Sequence, residues 1–376
     1  MKLSDIVTPA ALIDLPRMQH NIDRMQSQIN SLGASFRPHV KTSKCVEVTA
    51  AQVAAGARGI TVSTLKEAEQ FFAAGIIDVT YAVGIVPTKL KQAHALITKG
   101  CDLKILTDSV ASAKVISEYG AANGLTFKVL IEIDTDDHRS GIKPESQLLL
   151  DVAAALIAPG ALIAGVLTHA GSSYDLNTTP ALIAMAEQER SLCVRAATRL
   201  REAGFSCDVV SVGSTPTALT ALSLEGVTEV RAGVYIFFDL VMHNVGVCTM
   251  DEIALSVLTT VIGHQEEKGW AIIDAGWMAM SRDRGTQKQT TDFGYGQVCK
   301  ADGTPIPGFF VTGANQEHGI LSSQTPQQAS ISEMFPVGMQ LRILPNHACA
   351  TGAQFPQYQA LDSKGDVQTW DRFYGW

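Results

Sequence analysis

The sequence predicts an α/β protein: a (β/α)8 TIM-like barrel with a C-terminal, mainly antiparallel β domain. Three observations carry this. Between residues 35 and 237 short apolar runs alternate with stretches of helical spacing, the apolar runs number eight, and after about residue 245 the helical pattern gives way to strand-like segments joined by turns. Eight strands alternating with helices favour a closed barrel over an open doubly wound sheet. The open sheet would need a GxGxxG turn at its first strand, and "RPHVKTSK" (37–44) has none.

The opening "TPAALIDLPRMQHNIDRMQ" reads as a short strand and a helix with Pro16 near its start. The barrel strands are "SFRPHV", "GITVS", "VTYAV", "LKILT", "FKVLIEI", "LIAGVLTHAG", "VVSVGS" and "EVRAGVYIF". Between them, "STLKEAEQFFAAG", "SVASAKVISEYGAANG" and "PALIAMAEQERSLCVRAATRLREAG" have helical spacing and close on glycine, a common C-cap. "EIALSVLTTVIGHQ", "WAIIDAG", "GYGQVCKADGTPIPGFFVTG" and "MQLRILPNH" supply the antiparallel strands. We expect a barrel over 16–245 and a β domain built from 1–15 and 246–376.

Composition narrows the class of function. At 46% hydrophobic and 18% charged residues the chain has an ordinary globular make-up. A net charge of −8 argues against nucleic acid or an anionic membrane as partner, so any cationic site must be local. No run has the form of a signal peptide or a membrane span. The seven cysteines are odd in number and form no CxxC pair, which points to a reducing compartment with thiols either buried or used chemically. A cytoplasmic location is the expectation.

In a barrel of this kind the active site lies at the C-terminal ends of the strands. The first strand places Arg37, His39 and Lys41 at alternate positions, so all three are expected on one face, aimed at one spot. A lone strand-end lysine is usually solvated, but the other strand ends are polar too. The fifth offers Arg139, the sixth His169 and Tyr174, and the seventh Gly213, Ser214 and Thr215, whose hydroxyls and N–H groups suit a phosphate. The eighth brings Arg231, Gly233 and Tyr235. A lysine at one side of the barrel mouth and a phosphate cradle at the other fit a phosphorylated aldehyde, pyridoxal phosphate, bound to Lys41 as a Schiff base. Neighbouring cations would lower the lysine pKa and favour phenolate and phosphate.

"TPAALIDLPRMQHNI", "RPHVKTSK", "DTDDHRSG", "THAG" and "VRAGV" resemble the alanine-racemase-like family of pyridoxal phosphate enzymes, over nearly the whole chain and closest to its D-serine dehydratase and D-threonine aldolase branch. The resemblance implies that Lys41 is the Schiff-base lysine, that Arg139 contacts the cofactor's phenolic oxygen and that His169 packs on its ring. It places Arg231 beside the pyridine nitrogen and gives the phosphate to Ser214, Thr215, Gly233 and Val234, with Tyr174 and Tyr235 also lining the cofactor. It further implies a homodimer.

"PNHACAT" adds His347 and Cys349, two apart and expected on the same side of an extended segment. A histidine with a thiolate suits zinc and tolerates other first-row metals; a structural site would need four protein ligands, whereas two would leave an open, catalytic one. The branch carries His-x-Cys in dehydratases and His-x-Asp in aldolases, so the resemblance implies a divalent metal here (zinc, manganese or magnesium). The implied activity is dehydration of a D-3-hydroxy amino acid, D-threo-3-hydroxyaspartate or D-serine, to a 2-oxo acid and ammonia. A D-threonine-type aldolase, an amino-acid racemase and a non-catalytic pyridoxal phosphate carrier are the alternatives; the racemase tyrosine motif is not recognisable. Asp274, Ser281, Arg282, Asp283 and Arg284 crowd one segment, and Glu317 and His318 another. Most such clusters are solvated faces, yet a second substrate carboxylate needs a cation, which Arg37, Arg282 or Arg284 could supply.

Overall fold

A computed structural model describes all residues, 1–376. The chain opens with strand β1 (Ala10–Asp14) and helix α1 (Leu15–Ser31), with Pro16 at the second helical position. Eight parallel strands follow: β2 (Ser35–Phe36), β3 (Ile60–Val62), β4 (Asp78–Gly84), β5 (Asp102–Thr107), β6 (Phe127–Ile133), β7 (Ala161–Thr168), β8 (Val209–Val212) and β9 (Glu229–Val230). Each overlaps one of the predicted runs, β4, β5 and β7 beginning one residue earlier. Helices α2 (Val46–Ala54), α3 (Leu65–Ala73), α4 (Leu90–Thr98), α5 (Val110–Ala122), α6 (Gln147–Ala155), α7 (Thr179–Glu202) and α8 (Thr215–Thr220) alternate with them. Side-chain caps start several: Thr64 Oγ1 accepts the Glu67 N–H at 3.0 Å at the head of α3, satisfying an N–H that the helix itself leaves unpaired.

The sheet runs β2-β9-β8-β7-β6-β5-β4-β3, and its two ends meet. The chain beyond β2 bonds to β3 through Val40 N to Thr61 O (2.9 Å) and Thr61 N to Pro38 O (2.8 Å), with His39 and Thr61 paired as a parallel bridge. This closes the ring. Its interior is filled by side chains, and the lowest layer is ionic. Arg37 donates Nε to Glu229 (2.8 Å) and its terminal nitrogens to Asp78 (2.9 and 2.8 Å), while Lys104 donates to Asp78 at 2.9 Å. Asp78 is the first residue of β4, so Arg37 serves the N-terminal end of the barrel. The expectation that Arg37, His39 and Lys41 converge is therefore corrected: two carboxylates hold Arg37 on the floor, which also removes it as a partner for a substrate carboxylate. Lys41 lies beyond the strand, in a turn.

The C-terminal sheet has nine strands: β1, β10 (Leu255–Gln265), β11 (Trp270–Ile273), β12 (Gln297–Lys300), β13 (Pro305–Ala314), β14 (Gly319–Ser323), β15 (Gln340–Leu344), β16 (Gln357–Leu361) and β17 (Val367–Asp371). Its order is β11-β14-β13-β12-β15-β10-β1-β16-β17, antiparallel except for β1 with β16. Long β10 pairs with β15 and β1 through its first half and with β11 through its second, past a register shift at 261–263, so six strands curl into a second closed ring. Strands β14, β16 and β17 were not among the predicted segments.

The chain divides into two compact units, 23–233 with 375–376, and 1–22 with 234–374. These boundaries differ by several residues from 16–245. The segment after residue 233 forms the turn Val234–Ile236 and helix α9 (Leu240–Val245), and it is tied into the C-terminal unit: Leu240 N bonds Pro345 O at 3.0 Å, Val241 N bonds Asn346 O at 3.2 Å, and Asn21 donates to Ile236 O at 3.4 Å. No helix is long and apolar enough to cross a membrane.

Candidate active site

The C-terminal ends of the barrel strands gather most of the predicted site. His169 directly follows β7, and its Nδ1 lies 3.0 Å from Gly213 O. A carbonyl only accepts, so Nδ1 carries the proton and Nε2 a lone pair. Burial pushes this imidazole down to about 3; the charges of Lys41, Arg231 and Arg139 act the same way, against the bond to Gly213. Burial and the charges of Lys41 and Arg231 likewise hold His39 well below its usual range. Lys41 and Arg231 act on both histidines, and Arg139 on His169 alone. The Tyr174 ring, half-buried in the turn Gly171–Asp175, sits 6.1 Å from that of His169.

Arg231 is buried, and both its terminal nitrogens donate to Thr168 O (2.9 and 2.7 Å), next to His169. Its Nε is buried and has no hydrogen-bond partner. Arg139 is exposed on the loop after β6, 3.7 Å from Glu132, which also accepts the Ser140 hydroxyl at 3.0 Å. Gly213 carries φ +137°, and a Cβ there would fall 2.0 Å from Arg231 O, so the close approach of these two strand ends requires glycine. A Cβ on Gly233 would come within 3.1 Å of His39 O and 3.3 Å of Thr42 Oγ1. Ser214 and Thr215 are buried; the Ser214 hydroxyl reaches Ser173 Oγ (2.8 Å) and Thr217 Oγ1 (2.9 Å). Val234 and Tyr235, both buried, open the turn that belongs to the C-terminal unit.

A phosphorylated pyridine aldehyde fits this set by one test. The buried, unpartnered Arg231 Nε–H lacks an acceptor, which an unprotonated ring nitrogen supplies. A protonated ring nitrogen would face a donor with no lone pair.

In the C-terminal unit, His347 caps the short helix Ala348–Gly352 and Cys349 is that helix's second residue. A turn, not the expected extended segment, brings the pair together: the Cys349 side chain hydrogen-bonds the imidazole. His347 Nδ1 lies 2.6 Å from Asp283 Oδ2, which leaves Nε2 as the ring's ligating atom. Burial alone would lower this imidazole's pKa, but Asp283 and Cys349 push it up to about 11. Asp239, buried, accepts the N–H of Ala348 (2.9 Å) between the two candidate ligands and of Met242 (2.9 Å) at the head of α9.

All seven cysteines are free thiols, and Cys349 alone is not buried. Burial pushes Cys45 and Cys299 up to about 12 and Cys101 and Cys207 to about 11, as inert structural thiols should be. No group of three or more His, Cys, Asp or Glu side chains could hold a metal ion, so a metal on His347 and Cys349 would complete its sphere from water or substrate. The donor set suits zinc better than magnesium, which prefers oxygen ligands.

Of the remaining candidates, Asp274 is structural, accepting the hydroxyls of Thr8 (2.5 Å) and Thr259 (2.7 Å). Ser281 accepts the Asp283 N–H at 3.2 Å. Arg284 pairs with Asp292 at 3.0 Å, Arg282 stacks over Trp277 at 5.0 Å, and Glu317 and His318 are exposed in the turn joining β13 to β14. Asp239 and Glu189, an internal acid of α7, are functional candidates that the sequence reading missed.

The family model described as "Alanine racemase, N-terminal domain" matches residues 13–241, and a serine dehydratase domain model matches residues 254–361. The chain is 63% identical to D-threo-3-hydroxyaspartate dehydratase of Delftia sp. strain HT23 over 371 residues, 98% of each chain. It is 29% identical to D-serine dehydratase of Dictyostelium discoideum over 97% of this chain and 96% of that one. With D-threonine aldolase of an Arthrobacter species it shares 28% over 93% and 87%. A solved structure of the Delftia dehydratase superposes with a TM-score of 0.98 at 62% identity, covering 100% of both chains. A Cys-to-Ala mutant of a D-threo-3-hydroxyaspartate dehydratase has been solved in a metal-free form, with a TM-score of 0.99 at 62% identity and 100% coverage of each chain. Alanine racemase of Clostridium difficile 630 shares the fold at 14% identity and a TM-score of 0.69, over 96% of this chain and 98% of its own. On its barrel, on the domain that follows it in the chain and on its match to these relatives, the chain belongs to the alanine racemase N-terminal domain family, in the branch that carries a serine dehydratase domain.

Proposed function

We propose that this protein is a lyase that dehydrates D-3-hydroxy amino acids, D-threo-3-hydroxyaspartate first and D-serine second, to a 2-oxo acid and ammonia. The observation that carries the cofactor reading is the buried Arg231 Nε–H without an acceptor, beside the His169 imidazole and the cations around it. Lys41 would hold the aldehyde carbon of pyridoxal phosphate, His169 its ring face, Arg231 its ring nitrogen and Arg139 its phenolic oxygen. Ser214, Thr215, Gly233 and Val234 would hold the phosphate, with Tyr174 and Tyr235 lining the rest. When bound, the cofactor delocalises the negative charge that develops at Cα. The Lys41 amine takes the proton from Cα, and Arg231, a donor only, keeps the ring nitrogen unprotonated.

His347 and Cys349 would hold the metal, whose contribution is to polarise the β-hydroxyl as a leaving group. Asp283 fixes the His347 ring through Nδ1, so Nε2, beside Cys349, is the nitrogen that would bind the metal once its proton is displaced. The water lost on elimination is returned when the released enamine hydrolyses, so the net products are the 2-oxo acid and ammonia. The 63% identity to a dehydratase, against 28% to an aldolase, favours loss of the hydroxyl over cleavage of Cα–Cβ. The reading includes a cytoplasmic homodimer.

The test is a substrate panel: D-threo-3-hydroxyaspartate, D-serine and D-threonine, each with and without chelator. Oxo acid and ammonia from the first two, lost on chelation, are expected. Glycine plus an aldehyde would transfer the reading to an aldolase, and no turnover of any substrate would leave a carrier.

A further inference from the structure

The roles assigned above leave one internal acid unused. Helix α7 packs against β7 and β8, and its buried stripe runs Leu182, Ala186, Glu189, Cys193, Ala196 and Leu200. Glu189 is 2% exposed. Nothing about apolar packing calls for a carboxylate in that stripe, so its partners must justify it.

Those partners are three. Oε1 accepts the N–H of Ala170 (2.9 Å) and the N–H of Gly213 (2.9 Å), and Oε2 accepts the Thr217 hydroxyl (2.7 Å). Ala170 follows His169 and Gly213 precedes Ser214. One carboxylate thus ties the end of β7, which carries the imidazole, to the end of β8, which carries the hydroxyl turn. The His169 Nδ1–H to Gly213 O bond is a second tie between the same two segments.

The hydroxyls near Glu189 are ordered by it. Thr217 gives its only hydroxyl proton to Glu189, and its Oγ1 accepts the Ser214 N–H at 3.0 Å. Ser173 gives its proton to Ala170 O at 2.7 Å. Ser214 Oγ accepts the Thr217 N–H at 3.2 Å, so its own proton is the one left to direct, toward Ser173 Oγ, Thr217 Oγ1 or a ligand.

We propose that Glu189 is a positioning residue that sets the placement of the Ser214–Thr215 turn relative to His169, and thereby how much of the cofactor's affinity comes from its phosphate. This rests on the reading of the barrel mouth as a pyridoxal phosphate seat. The carboxylate acts through three accepted hydrogen bonds, not by touching the cofactor.

The test compares pyridoxal 5'-phosphate with pyridoxal, each titrated into apoprotein and followed by its visible absorbance. The variants are E189A, E189Q and T217V. The quantity read is the ratio of the two dissociation constants, which a general loss of stability would not change. E189A should narrow the preference for the phosphorylated form by roughly 10- to 100-fold, the loss that removing an outer-shell partner causes at metal sites. E189Q keeps an oxygen for the two amides but turns an NH2 toward the Thr217 hydroxyl, so it should restore the amide ties alone and lie between wild type and E189A. T217V, matched in shape, removes only the hydroxyl arm and should lie between; it decides the matter if E189A does not fold. A ratio unchanged in E189A and T217V overturns the proposal. So does an E189Q as damaged as E189A, since the two amide ties it keeps would then hold nothing in place. Wild-type protein that binds neither aldehyde defeats the cofactor reading itself, a separate result.

Discussion

A hydrogen bond of 2.6 Å between His347 and Asp283 makes one residue-scale expectation specific. Replacing Asp283 by Asn keeps the shape but puts an amide where a carboxylate accepted, so the imidazole no longer has one tautomer imposed on it. We expect D283N to weaken zinc affinity by about 10- to 100-fold with the fold intact. Competition with a chromophoric chelator measures this directly, and an unchanged affinity would remove Asp283 from the site. Asp283 had been legible only as one of five crowded polar residues, because a segment between strands does not declare which neighbour it meets.

At the scale of elements, the barrel floor shows what strand register decides. Arg37 and Glu229 are 4% and 6% exposed, and each has the other as its charge partner through a 2.8 Å bond. Arg37→Met would leave Glu229 buried with only the Ser211 hydroxyl at 2.8 Å. We expect a destabilisation of about 3–5 kcal/mol, read from the urea midpoint of the apoprotein. A loss under about 1 kcal/mol, the range of an exposed pair, would contradict the ionic floor. The eight barrel strands were visible because each is an apolar run followed by a helical repeat. Strands β14, β16 and β17 were not, being five-residue segments with polar members such as "GILSS" and "VQTWD", too short and mixed to show an apolar run although β14 and β17 each close a hairpin on the strand just before them. Glu189 could have been found: a glutamate at an inward position of an otherwise apolar stripe is a signal that spacing alone reveals.

For the whole molecule, two histidines with displaced pKa values predict a pH dependence with a definite sign. In the fold His169 titrates at about 3, whereas an unfolded histidine titrates near ~6.5. A depressed folded value means that this contribution is complete above ~6.5 and is lost as pH falls toward 3. His347, raised to about 11, works oppositely: its contribution is complete below ~6.5 and is lost as pH rises toward 11. Comparing wild type with H169N isolates His169, because the Asn amide can still donate to Gly213 O. Between pH 7.5 and 5 wild-type apoprotein should lose stability relative to H169N, by at most about 1.4 kcal/mol per pH unit below ~6.5. A difference that stays constant with pH would show that His169 is not held neutral by the fold.

By itself the amino-acid sequence determined the alternation of strands and helices, the change of style near residue 245, and the residue types at the strand ends. These follow from short-range chemistry: periodicity, capping and turn preference act within a few residues. Tertiary structure alone decided which of those residues meet. It sent Arg37 to the floor carboxylates, joined His347 to Asp283 across 64 positions, and placed Glu189 between two strand ends. A buried charge goes wherever a partner can satisfy it, and that partner is set by closure of the ring rather than by distance along the chain.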